Sequence, residues 1–209
     1  AGLPGAVKLS PQIGLGTMAL FVAGGLWLAL WTGRARLLGL VPATLATGLA
    51  IATPAPDILI SGDGRHVGIA GEGDRLIMLR DTRSDFARDN ITELAGKGGE
   101  VVPLAEWPAA RCSPDFCVLI IRRGERDWRL LLARSRNMVE ERALAAACER
   151  ADIVVADRFL PRSCRPTWLK ADRRLLERSG GLALHLEEGR IDRVADSQGE
   201  HGWWRPDTR

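Results

Sequence analysis

The sequence predicts an α/β protein with an unusual front end: two transmembrane helices followed by one layered α/β domain. Three observations predict it. The first 56 residues contain no Asp or Glu and only three cations, Lys8, Arg34 and Arg36, whereas all 26 acids lie in residues 57–209. Two uncharged runs of membrane-crossing length stand in that first part. In the second part, short β-rich runs alternate with stretches of helical character. Subtracting the three early cations from the 29 Lys and Arg leaves 26 against 26 acids, so residues 57–209 are neutral overall. The excess charge therefore sits beside the apolar runs, and the pI near 8.9 bears on topology and not on a nucleic-acid ligand.

Residues 13–32 read IGLGTMALFVAGGLWLALWT, twenty residues without a charge. At about 1.5 Å per residue they span a hydrocarbon core of about 30 Å. Residues 37–56, LLGLVPATLATGLAIATPAP, form the second uncharged run, closed by Pro54 and Pro56. Only GRAR separates the two, which predicts a tight antiparallel hairpin, with Gly14, Gly16, Gly24 and Gly25 offering small faces for close helix contact. Arg34 and Arg36 in that loop favour the cytoplasmic side, Trp27 and Trp31 fit an interfacial belt, and residues 57–209 are then extracytoplasmic. A cleaved secretory signal and a buried soluble hairpin are the competing readings. The first apolar run is longer than the usual signal core of about 7–15 residues, and nothing else in the chain is apolar enough to wrap such a hairpin. The chain begins at Ala1 without Met and reads as the end of a larger protein.

The domain, at about 150 residues, is long enough to bury its own core. DILI (57–60), HVGIA (66–70) and residues 76–79 read as short strands separated by the SGDGR and GEGD turns. SDFARDNITELA (84–95) reads as a helix with Ser84 as N-cap and Gly96 past its end. CVLIIRRGERDWRLLLAR (117–134) is a hairpin, and NMVEERALAAACER (137–150) an Ala-rich helix with Glu140 and Glu141 in its first turn. Residues 153–156 form an all-apolar strand, 170–179 a helix stopped by Gly180 and Gly181, and GLALHLEEGRIDRVA a closing hairpin. Strands at both ends with helices between them give a layered arrangement.

Cys112 and Cys117 bracket SPDF, a spacing that suits a disulfide outside the cytoplasm and lacks the further ligands of a zinc site. Cys148 reads as a small core residue, and its pairing with Cys164 is left open. His66, His185 and His201 stand far apart, without the clustered imidazoles and carboxylates that a binuclear hydrolase uses to activate water. The glycine turns lack the Lys-Ser/Thr ending of a phosphate loop, and no G-x-S-x-G elbow is present. The densest basic stretch carries Arg162, Arg165, Lys170, Arg173 and Arg174, with Phe159 and Trp168 interleaved. Two readings fit it. The cations hold phosphates while Trp168 stacks a base, or the stretch is a connection whose charges pair with Asp157, Asp172 and Glu177 and whose aromatics anchor in the core.

The order of pieces resembles the C-terminal third of ComEC-type competence proteins, the inner-membrane DNA-uptake channels, in their alphaproteobacterial form. The likeness runs through PDILISGDGRHVGIAGEGDRLIMLRD, RSDFARDN, WPAARCSPDFC, ADIVVADRFLPRSCRPTWLKADRRLLERSGGLAL and QGEHGWW. The resemblance implies a metallo-β-lactamase-like domain at residues 57–209, behind a helical hairpin at 1–56 that completes a channel bundle. The family's metal-binding H-x-H-x-D-H stretch has no counterpart; after Leu79 this chain has RDTRSDFARDN instead. The expectation is therefore a degenerate, non-enzymatic domain without a cofactor, in a multi-pass inner-membrane protein. Its expected partners are single-stranded DNA, lipid, the upstream channel portion and other competence proteins. An active metal-dependent nuclease with atypical ligands, or a purely structural domain, are the alternatives.

Overall fold

The computed structural model describes residues 13–71, 73–80 and 85–199. The chain divides into two compact units, residues 1–55 and 56–209.

The first unit is a helical hairpin. Helix α1 (Leu15–Leu30) is joined through a 3-10 segment (Arg34–Gly39) to α2 (Leu40–Ala52). A Cβ on Gly24 would lie 2.8 Å from both Ala43 N and Gly39 O, and one on Gly39 would lie 2.7 Å from Gly24 O, so the two backbones meet where no side chain intervenes. Trp27 Nε1 donates to Ala35 O at 3.0 Å and its ring stacks on Trp31, which fixes the loop. Gly24, Gly39 and Ala46 are the buried residues among those described in this unit; the large apolar side chains face outward. An exposed apolar surface of this extent marks a membrane or protein interaction face. The expectation of two crossings is met only in part. Residues 34–52 form a helix long and apolar enough to cross a membrane. Helix α1 has 16 residues, about 24 Å, because residues 13–14 and 31–32 of the apolar run are not helical.

The second unit is a mixed α/β domain with two mixed sheets. The first has the order β11-β10-β1-β2-β3-β4 and is built from β1 (Ile58–Ile60), β2 (Val67–Ala70), β3 (Leu76–Met78), β4 (Val101–Pro103), β10 (Leu182–His185) and β11 (Arg190–Arg193). The second has the order β5-β6-β7-β8-β9 and is built from β5 (Ala110–Cys112), β6 (Phe116–Arg123), β7 (Arg126–Ala133), β8 (Ile153–Val155) and β9 (Leu169–Ala171). Pairing is antiparallel except β3 with β4, β7 with β8 and β8 with β9.

The sheets face each other across one core. Ile58, Ile60, Val67, Ile69 and Ile77 of the first meet Leu119, Leu130, Leu132, Ile153 and Val155 of the second. Each such side chain contributes about 1.5–3 kcal/mol on burial. Alternate residues serve the outer faces. Leu59, Leu76 and Met78 pack under Ile91 of α3 (Asp85–Leu94), and Leu131, Ala133 and Val154 under Leu144 and Cys148 of α4 (Glu141–Glu149). The result is helix, sheet, sheet, helix, with α5 (Arg173–Ser179) joining β9 to β10 and the short α6 (Val194–Ser197) following the edge strand β11.

Two elements differ from expectation. Lys170 and Ala171, read as the start of a helix, belong to strand β9, and α5 begins at Arg173 after its N-cap Asp172, whose side chain accepts from Leu175 N. Helix α4 starts at Glu141 rather than near Asn137, because Asn137 is held in a side-chain knot described below. The Ser84 N-cap, His201 and the QGEHGWW segment beyond Gly199 lie outside the described residues. Disulfides join Cys112 to Cys117 across facing positions of β5 and β6, and Cys148 of α4 to Cys164 in the loop after β8. Apolar helix and disulfides together point to a membrane-anchored, extracytoplasmic domain.

Candidate functional site

Parallel strands leave their carboxyl ends open to ligands, and in this domain β7, β8 and β9 end on the same side of the second sheet. β8 is wholly apolar and buried, so it runs through the core and delivers the next polar residue, Asp157, to the sheet's edge. The Asp157 side chain is 0% exposed. Its Oδ2 accepts from Arg136 Nε at 3.1 Å and pairs with Arg80 Nη1 at 3.5 Å. Arg80 stands two residues beyond β3 and also donates from Nη2 to Ala133 O at the end of β7, 3.3 Å away. The cluster therefore joins the two sheets at their strand ends.

Two of its atoms are unmatched. Asp157 Oδ1 and Arg80 Nε are buried without a hydrogen-bond partner. The β1–β2 turn closes on the same place: Gly64, at φ +67°, would carry a Cβ 3.0 Å from Ala156 O and 3.2 Å from Asp157 Cα. Only glycine fits there.

A second ring of polar groups supports the cluster. Asp115 accepts from Asn137 Nδ2 at 3.0 Å and from the Ser135 hydroxyl, and these bonds hold its carboxyl below the ordinary aspartate range. Asn137 N donates back to Ser135 Oγ at 3.1 Å, which keeps residues 135–137 out of α4. Arg158 donates to the Ser135 and Asn137 carbonyls, with its guanidinium 5.3 Å over the Phe116 ring. The Arg136 side chain is 65% exposed, and its terminal nitrogens carry no partner among the described residues.

The cations singled out in the sequence are not brought to one point. Trp168 precedes β9, at the opposite end of the sheet from Asp157; it meets Trp128 edge-on at 4.8 Å beside a cleft of ≈ 440 Å³ that also takes in Arg123, Arg126 and Glu187. Five residues of extended chain, about 16 Å, separate it from Arg173. Lys170 is half-buried and spends its ammonium on the Leu160 and Pro161 carbonyls at 3.4 and 2.7 Å. Arg173 pairs with Glu177 at 2.7 Å and lies over Phe159. Arg162, Arg165 and Arg174 are exposed and form no ion pair among the described residues. Asp157 is claimed by Arg80 and Arg136 from outside the basic stretch, and Asp172 caps α5.

A metal, as the family resemblance would imply, does not fit this site. Guanidiniums have no lone pair to offer a cation, and no group of three His, Cys, Asp or Glu able to hold one exists among the described residues. His66 lies 3.7 Å from Asp63, and His185 lies 3.2 Å from Asp192, whose carboxylate Arg190 also holds. Sequence reasoning missed Arg80 and Arg136 as partners of Asp157, although an acid following an all-apolar strand was the available signal. The chain matches no protein-family model, no curated protein and no solved structure.

Proposed function

We propose that this chain is the membrane-anchored end of an inner-membrane DNA-uptake channel, and that its extracytoplasmic, metallo-β-lactamase-like domain contacts single-stranded DNA without cutting it. In this reading both apolar helices cross the membrane as part of a larger bundle, with Arg34 and Arg36 on the cytoplasmic side. The observation that carries the DNA contact is the set of Arg162, Arg165 and Arg174, exposed and without a carboxylate partner among the described residues. Uncompensated guanidiniums on one loop and the adjoining helix suit a phosphate backbone. Trp168 is the stacking partner only for a base that reaches the far end of β9.

The test is binding of a fluorescent single-stranded oligonucleotide to the full chain in detergent across a salt series. Three to four phosphate contacts give a log–log slope of about −2 to −3. Neutralising Arg162, Arg165, Arg173 and Arg174 together should flatten that slope toward zero. An unchanged slope overturns the proposal. A tag placed after Arg209 should be accessible from outside the inner membrane; protection there overturns the orientation.

A further inference from the structure

We infer that the outer face of the second sheet, along β5 and β6, rests on the bilayer surface and takes anionic phospholipid, with its apolar side chains at the lipid tails and its arginines on the phosphates. Helix α4 covers only part of that face. Its nine residues make a rod about 14 Å long and about 10 Å wide, enough for two strands set about 4.8 Å apart. Leu144 and Cys148 pack on Leu131 and Val154 of β7 and β8. Toward β6 the helix leaves a groove of ≈ 480 Å³ whose walls include Phe116, Val118, Val139, Ala143 and Ala147.

A sheet face turned to water normally carries polar residues at its outward positions. β6 departs from that rule: it sends Cys117, Leu119 and Ile121 into the core and Val118 and Ile120 outward, 42% and 48% exposed. Met138, next to the groove residue Val139, is 99% exposed. The other exposed large apolar side chains described in this unit, Leu94, Phe159 and Val194, stand singly on separate elements. Arginines frame the outward pair. Arg111 is opposite Val118 on β5, Arg129 is opposite Ile120 on β7, and Arg122 is the next outward residue of β6. Their guanidiniums have no partner among the described residues, and one acid, Asp127 opposite Arg122, shares these rows.

That pairing of chemistries selects the occupant. A phosphate backbone would satisfy the arginines and leave Val118 and Ile120 against charge; an apolar peptide would do the reverse. The interfacial zone of an anionic bilayer offers both, since phosphates lie directly over hydrocarbon and the long arginine stems reach back to them. Proximity supplies the rest. Helix α2 ends at Ala52 and β1 starts at Ile58, so the connection extends at most about 20 Å. A domain held that near a membrane meets its surface at about millimolar effective concentration, enough to populate a contact too weak to recruit a free protein. The inference rests on the membrane anchor and is independent of the DNA contact.

The experiment places the full chain in nanodiscs of phosphatidylcholine, alone or with about 30% phosphatidylglycerol, with p-benzoylphenylalanine replacing Ile120 or, as a control, Glu188 between β10 and β11. On irradiation, lipid coupled to position 120 in the mixed discs should exceed that at position 188, and that at position 120 in phosphatidylcholine alone, by about threefold or more. Arg111→Gln, Arg122→Gln and Arg129→Gln together, all at exposed side chains, should return the yield to the phosphatidylcholine level. Salt at about 0.5 M should do the same without any substitution, by screening. Coupling at position 120 no greater than at 188, or indifferent to phosphatidylglycerol and to salt, overturns the face. Adducts with a second copy of the chain, or with an added single-stranded oligonucleotide, in place of lipid also overturn it. A chain that leaves the discs on gel filtration overturns the anchor and this inference together.

Discussion

Asp57 and Arg123 tie the two sheets together at the end of the domain opposite Asp157: Arg123 Nε donates to Asp57 Oδ1 at 2.5 Å, and the other carboxylate oxygen accepts from Leu186 N at 2.8 Å. Arg123 also donates to the Ala70 carbonyl. One carboxylate thereby links the start of β1, the tip of the β6–β7 hairpin and the end of β10. Asp57→Ala leaves a partly buried guanidinium and a backbone N–H unmatched, and should cost about 2–3 kcal/mol in chemical denaturation. Arg123→Ala should cost a similar amount, and the double variant less than the sum.

Gly64→Ala tests the approach of the β1–β2 turn to Ala156 and Asp157. The added methyl requires a left-handed backbone and a 3.0 Å contact with a carbonyl oxygen. A loss of about 2 kcal/mol or more is expected, against less than about 1 kcal/mol for the same change at Gly189, whose Cβ would meet open space.

Asp152 supplies a pH signature. Partial burial raises its carboxyl, but the Arg129 amide, the Thr167 hydroxyl and Arg126 outweigh that and set it below the ordinary aspartate range. The folded form is thus the stronger acid. Its contribution is complete above the unfolded value of about 4 and disappears as pH falls through the lower folded value. Asp152→Asn should lower Tm at pH 7, and the gap from the unaltered protein should close as pH falls through the lowered folded value.

Much of the second unit was legible because its signals are local. β1, β2 and the β6–β7 and β10–β11 hairpins are apolar or alternating runs bounded by glycine turns, and β8 is an all-apolar run. β9 was not, since three residues reading Leu169-Lys170-Ala171 acquire their conformation from β8, sixteen positions earlier. β4 likewise depends on a parallel partner and contains a proline. Helix α4 read too long because its helical composition extends to Asn137, while the bonds that hold Asn137 extended come from Asp115 and Ser135. The site was less visible still: Arg80 and Asp157 lie 77 positions apart, and only folding of both sheets brings them together.

The Cys148–Cys164 bridge closes a loop of 16 residues between α4 and the segment beyond β8. Replacing both with Ala should cost about 3 kcal/mol, on the loop-entropy account. Cys112 and Cys117 span only 5 residues, so their removal should matter less. Thermal denaturation of the two double variants separates these contributions.

In the helical unit, Gly24→Leu should part α1 from α2, because nothing but backbone lies within reach of its Cβ except Ala43. A fall in the thermal unfolding temperature of the full chain in detergent, absent for the same change at Gly48, whose Cβ would meet open space, reads the lost contact.

The linker from the helical unit runs through Pro56 straight into β1, which has β10 on one flank and β2 on the other. Any tug on the anchor is therefore delivered to the middle of a sheet and not to a peripheral strand that could peel away. Both cross-links lie elsewhere, around the other sheet. Mechanical resistance of the tethered half must come from ladder hydrogen bonds and the Asp57 clasp, making that clasp the first point to yield when the domain is stretched from its membrane end.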